Sequence, residues 1–117
     1  MSTYVTDKDC LFCKIVEGKI PADKVAEDEA WLAFKDINAQ APAHALVIPK
    51  NHVANVTELD DAVELGSLFQ AACQVAKQLN LKEGFRLVVN TGSHGGQTVF
   101  HLHIHILGGR PLTWPPG

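Results

Sequence analysis

Apolar residues recur along this 117-residue chain with two different periods, and the change of period marks its elements. From Cys10 to Val16, Leu11, Phe12, Ile15 and Val16 follow a three-to-four spacing that predicts one short helix, stopped at Gly18. After the Ile20-Pro21 break, Lys24 to Glu27 and Ala30 to Lys35 carry strand-like residues around a polar Asp28-Glu29 turn, which predicts a hairpin. Beyond the loop from Asn38 to Pro42, His44 to Ile48 reads as a buried strand closed by Pro49. Leu65, Leu68, Phe69, Ala72, Val75, Ala76 and Leu79 form one stripe, the mark of a main amphipathic helix that starts near Asp60 or Asp61 and stops before Gly84. Cys73 falls on the apolar side of that helix and reads as core. Phe85 to Asn90 and Val99 to Leu107 are strand-like and should pair antiparallel across the turn-rich stretch from Thr91 to Gly96. Strands, one long helix, then strands again predict an α+β fold with an antiparallel sheet covered on one face.

Composition narrows the classes of function. A length of 117 residues with no linker predicts a single domain over 1–117, and 46% hydrophobic residues suffice for one core. A net charge of -3 supplies no basic field, so no nucleic acid partner is expected, whereas a single nucleotide is compatible. Met1 to Asp9 lacks a basic segment and an apolar run, and no stretch approaches the roughly eighteen apolar residues of a membrane span. No membrane association and a cytoplasmic location are the resulting expectations. Of the three cysteines, Cys10 and Cys13 have a C-x-x-C spacing that reads as metal or redox in such a setting. The tail from Arg110 to Gly117 is too proline-rich for helix or central strand.

The chemistry concentrates in Phe100-His101-Leu102-His103-Ile104-His105-Ile106. On a strand, alternate side chains face opposite ways, so the three imidazoles share one face, about 7 Å apart, while Leu102, Ile104 and Ile106 enter the core. Strict alternation argues against an incidental polar face. It leaves two readings open: a zinc or iron site built on a His-x-His pair, and a neutral imidazole that attacks phosphorus while its second nitrogen donates to a backbone carbonyl. Gly95-Gly96-Gln97-Thr98 just upstream offers neutral donors suited to a phosphate oxygen.

Gly96 to His105 resembles the histidine triad motif, His-φ-His-φ-His-φ-φ with φ apolar. The likeness extends through Leu11 to Ile15, Phe34 to Ile37 and His44 to Lys50 to the tail, where Gly108-Gly109-Arg110 and Trp114-Pro115-Pro116-Gly117 resemble the Hint branch of the family. The resemblance implies a five-stranded antiparallel sheet with one long and one short helix, and a homodimer whose sheets join into a ten-stranded one. It also implies a purine nucleoside 5′-phosphoramidate hydrolase, of the adenosine 5′-monophosphoramidase type, that needs no cofactor for catalysis and takes AMP or GMP derivatives. His103 would be the nucleophile, with His44 and His105 moving protons and bonding the phosphate, and Asn90, Gln97 and Thr98 adding neutral contacts. Thr98 stands where Hint-branch proteins commonly carry serine, which bears on the leaving group. Asp36 would bind ribose; Phe12, Ile15, Phe34, Ile37 and Leu46 would form the base pocket. The tail 108–117 would lie near the active site, with Trp114 reaching the partner's site or packing on its own subunit.

Relatives that carry the cysteine pair complete a structural zinc site, which here would comprise Cys10, Cys13, His52 and His101. Buried thiols or a redox pair are the other readings of Cys10 and Cys13. Three rival functions are also compatible with the sequence: dinucleoside polyphosphate hydrolysis as in the Fhit branch, where glutamine commonly replaces Asn90; nucleotide binding or scaffolding with incidental hydrolysis; and metal-dependent hydrolysis.

Overall fold

The computed structural model describes residues 4–117; Met1 to Thr3, the start of the segment read above for a leader, lie outside the described residues. Its elements in chain order are α1 (Leu11–Val16), β1 (Lys24–Glu27), β2 (Trp31–Lys35), β3 (Ala43–Pro49), a 3-10 turn (Val56–Glu58), α2 (Ala62–Gln78), β4 (Phe85–Val88) and β5 (Ile104–Gly108). All neighbouring strands are antiparallel, in the order β1-β2-β3-β5-β4, so the expected α+β fold with five strands and one long helix is present.

Strand β3 is central and buried over nearly its whole length, as its run of apolar residues requires. Its alternate side chains split the molecule into two cores. Ala45 and Val47, with Trp31, Ala33, Leu102, Ile104 and Ile106, pack against Leu68, Ala71, Ala72, Val75 and Ala76 of α2. Leu46 and Ile48, with Leu32 and Phe34, pack against Phe12, Cys13 and Ile15 of α1. The sheet is therefore covered on both faces, not one, because α1 is too short to bury a sheet alone but large enough to bring Phe12 and Ile15 onto the second face. Ile104 is fully buried between β3 and α2, and truncating it to alanine would cost about 2–5 kcal/mol.

Capping explains the helix ends. The Asp61 carboxylate accepts from the Val63 and Glu64 amides at 2.9 and 3.1 Å at the start of α2. At α1 the cap is a sulfur: Cys10 Sγ accepts from the Cys13 amide at 3.4 Å.

Three expectations about local placement need correction. Cys73 is exposed, because with Phe69 and Lys77 it runs along the margin of the α2 stripe beside the row that enters the core. The last strand begins at Ile104, not Val99, so only His105 of the three alternating histidines lies on a sheet ladder. The ladder cannot extend further because β3 ends at Pro49, which has no N–H, and the Leu102 amide turns to the Val53 carbonyl at 2.7 Å. Strand β4 likewise ends at Val88, two residues before Asn90. Among the described residues no helix is long and apolar enough to cross a membrane.

Candidate active site

Although only His105 is in the ladder, alternation persists through residues 101–106: Leu102, Ile104 and Ile106 face α2 and the imidazoles face α1. Phe12 meets the rings of His101 and His103 edge-on, with centroids 5.9 and 5.1 Å away. The rings then separate into two groups.

One group lines a cavity of about 510 Å³ between α1 and the sheet. Phe12, Ile15, Phe34 and Leu46 form its apolar wall, and Asp36, His44, Thr98, His103 and His105 bring polar atoms to it. Ile37 also lines it, though its side chain is otherwise wholly exposed at the rim. A larger cleft of about 840 Å³ lies between the end of α2, β4 and the tail, and carries none of the histidines.

Backbone partners fix the protons on these rings. His103 Nδ1 is 2.7 Å from the His101 carbonyl, which only accepts, so Nδ1 carries the proton and Nε2 keeps its lone pair. His44 Nδ1 accepts from the Gln40 amide at 3.0 Å, so its proton lies on Nε2, 2.9 Å from His105 Nδ1 and 3.3 Å from Asp36 Oδ2. His105 therefore accepts at Nδ1 and carries its proton on Nε2. Burial holds all three imidazoles below the usual histidine range: His105 falls to about 4, helped by repulsion from His103 and His44, while Asp36 partly opposes the shift of His44 and His103. They are neutral at pH 7, as these hydrogen bonds require. Asp36, His44 and His105 bring donor atoms within 4.8 Å of one another, but a metal on His44 Nε2 would force a proton onto Nδ1, against the Gln40 amide. Hydrogen bonding, not metal ligation, suits this set.

The second group is His101 with Cys10, Cys13 and His52, whose donor atoms also lie within 4.8 Å of one another. His101 Nε2 donates to the Pro49 carbonyl at 2.8 Å, which leaves Nδ1 unprotonated and aimed at Cys10 Sγ (3.3 Å), Cys13 Sγ (3.5 Å) and His52 Nδ1 (3.3 Å). Cys13 Sγ is 3.4 Å from His52 Nδ1. Tetrahedral zinc with nitrogen and sulfur ligands spaces them about 3.3–3.8 Å apart, so the donor set fits that ion. Two backbone amides, of Cys13 and Asp7, also point at the sulfurs, at 3.4 Å each, as a thiolate pair needs. With no cation, burial pushes the Cys13 thiol up to about 11 and His101 down to about 4; a divalent ion would offset both.

Of the residues singled out from the sequence, Asn90, Gln97 and Trp114 are not in the cavity lining. The Gln97 amide is buried and fully engaged: Nε2 donates to the Ala54 and Val99 carbonyls at 2.7 and 3.1 Å, and Oε1 accepts from the Gly92 amide at 3.0 Å. It braces the loop that presents Thr98. Gly95 makes that loop's tight turn, since a Cβ there would stand 2.5 Å from the Thr91 carbonyl oxygen. Asn90 stands beside Gly96 in the same loop. Trp114 is 82% exposed and does not pack on its own subunit. Sequence reasoning missed Gln40, Ile20 and Val99 as cavity residues. A backbone amide such as that of Gln40 leaves no mark in residue type.

The chain has relatives of one family in sequence and in fold. Residues 17–112 match the model of the HIT domain. An uncharacterized HIT-like protein of Synechococcus elongatus is 53% identical over 112 residues, covering 94% of this chain and 98% of the relative. The crystal structure of a HIT family hydrolase from Legionella pneumophila superposes with a TM-score of 0.90 at 49% identity, covering 93% of this chain and all of that one. A histidine triad protein from Clostridium difficile gives 0.88 at 43% identity, over 93% and 97% of the two chains. A cavity walled by His44, His103 and His105, on a sheet shared with these structures, makes this chain a member of the histidine triad family.

Proposed function

We propose that the chain hydrolyses purine nucleoside 5′-phosphoramidates through a nucleotidyl-histidine intermediate. The observation that carries this reading is the hydrogen bond from His103 Nδ1 to the His101 carbonyl, which leaves a lone pair on Nε2 of a neutral imidazole at the cavity wall. In the first step Nε2 bonds to the α-phosphorus as the P–N bond breaks, and the departing nitrogen takes a proton from solvent, which the water of the second step returns. The phosphorylated ring is then an imidazolium, and the His101 carbonyl opposite Nδ1–H stabilises that charge. Water next attacks phosphorus, releasing the nucleoside monophosphate and restoring His103. His105 Nε2–H and the Thr98 hydroxyl would hydrogen-bond phosphate oxygens or the leaving group, with His44 behind His105. Phe12, Ile15, Phe34, Ile37 and Leu46 would hold the base, and Asp36 the ribose hydroxyls. Asn90 and Gln97 act through the loop that carries Thr98.

Cys10, Cys13, His52 and His101 would hold a structural zinc. Such an ion, with four protein ligands and no open position, supplies cross-linking and charge to balance the thiolates, and no catalytic step. No cofactor is needed for the chemistry proposed. Pairing of two chains into a homodimer fits β4 as a sheet edge and the exposed Phe85, and the exposed Trp114 would then reach the partner's site.

The test is turnover of a fluorogenic adenosine phosphoramidate beside a dinucleoside polyphosphate on one preparation. Cleavage of the first, lost in His103→Ala, supports the proposal. Preference for the second moves the chain to polyphosphate hydrolysis, and tight AMP binding without turnover of either reduces it to a binding protein.

A further inference from the structure

As a neutral ring, His105 presents Nε2–H to the cavity only while its single proton stays off Nδ1, and what keeps it off lies outside the histidines. The Gln40 amide cannot reverse its role: an N–H only donates. Its 3.0 Å bond to His44 Nδ1 puts the His44 proton on Nε2, and the 2.9 Å bond from there puts the His105 proton on Nε2. Direction thus passes through two imidazoles from one peptide group. That peptide sits in an exposed loop between β2 and β3, where the Asn38 amide donates to the Asp36 carboxylate at 2.9 Å and Gln40 Nε2 donates to the Asn38 carbonyl at 3.0 Å.

Two contacts from the tail steady it. Arg110 Nη2 donates to the Gln40 carbonyl at 3.1 Å, although the two residues are 70 apart in sequence. Gly109 lies so close over the loop that a Cβ would stand 2.9 Å from Pro42 Cβ and 3.4 Å from the Ala43 nitrogen, and its φ of 91° suits glycine. The tail turns here against the loop and delivers the guanidinium to it.

We propose that the Gln40 backbone amide, clamped by Arg110, is a positioning group that fixes His105 as a hydrogen-bond donor toward the substrate phosphate or its leaving group. The catalytic part of this rests on the hydrolase reading above; the direction of the hydrogen-bond chain does not. Arg110 touches no reacting atom in this scheme. It acts through Gln40, then His44, then His105.

The test uses the full chain labelled with 15N-histidine. Ring-nitrogen shifts at pH 7.5 should show both His44 and His105 protonated on Nε2. Gln40→Pro removes the donor, and should bring signals of the other tautomer for His44 or His105 and lower kcat roughly tenfold, with KM changed by less than about twofold. Arg110→Ala, which leaves every backbone amide in place, should do the same to a smaller extent, roughly threefold, with Arg110→Lys restoring part of it. A thermal melt checks that each variant is folded, and Arg110→Ala serves if Gln40→Pro is not. His44 protonated on Nδ1 in the unaltered chain, or ring shifts unmoved in the folded variants, overturns the proposal. So do altered shifts with unaltered turnover. A chain that cleaves no phosphoramidate refutes the hydrolase reading instead, and the ring shifts still decide the direction of the chain.

Discussion

Two imidazole clusters stand side by side, both drawing on the stretch from Phe100 to Ile106, and they use histidine in opposite ways. In the cluster of Cys10, Cys13, His52 and His101, two sulfurs and two ring nitrogens converge on one point, three of the four residues are buried, and the geometry is closed. In the cluster of His44, His103 and His105, the first and last rings pass hydrogen bonds along a directed chain, His103 donates to the His101 carbonyl, and the rings wall an open cavity. Residue type does not separate them, since neutral imidazole serves in both. The separation comes from backbone groups: the Pro49 carbonyl turns the lone pair of His101 toward sulfur, whereas the His101 carbonyl turns that of His103 toward the cavity. His101 belongs to both, through its ring in one and its carbonyl in the other.

The sharpest way to break this division is to remove the nucleophile. His103→Ala should lower kcat by on the order of 10⁴-fold while zinc content, measured by atomic emission, stays at the unaltered value. Coupled loss of metal would show that the clusters are one site. Next in size is Cys13→Ala, which should abolish zinc binding and lower the melting temperature by roughly 10 °C. Turnover in the surviving folded fraction should persist at reduced rate; catalysis that returns only with added zinc would place metal in the chemistry.

Acid should weaken the fold through the open cluster. Burial holds His105 at about 4 in the folded chain, below the roughly 6.5 of a free imidazole, so the unfolded chain takes up the proton first. The stability linked to His105 is therefore complete above about pH 6.5 and erodes as pH falls toward 4. Urea midpoints at pH 7.5, 6.0 and 5.0 measure this, and a midpoint that rises with acid contradicts it. The smallest effect concerns Asp36, whose Oδ2 is 3.3 Å from His44 Nε2 and lies at the cavity wall. Asp36→Asn should raise KM about tenfold with kcat within a few-fold if its main task is to hold ribose. A fall confined to kcat would instead tie it to the histidine chain.

Periodicity made the fold readable: the stripe on α2 and the unbroken apolar run of β3 each specify a burial pattern that one element type satisfies. The end of β5 nearest the histidines was not readable, since it depends on which carbonyl the Leu102 amide meets, a fact of tertiary placement. Cys73 misled because a small residue beside a stripe fits either side of its margin. In the site, the spacing of His101, His103 and His105 announced shared chemistry, but it took the family resemblance to divide their roles and the backbone partners to place their protons. The contact of Gln40 with His44 had no counterpart in residue type at all.

Cys10 caps α1 with the same sulfur that faces His101 and the other donors of the proposed zinc site, so one atom serves two structures. Serine or aspartate at position 10 would keep the cap while forfeiting the ion, and the Pro49 carbonyl would still hold the His101 ring. Single substitutions at position 10 would therefore alter the proposed zinc site while leaving the helix capped and the His101 carbonyl opposite His103.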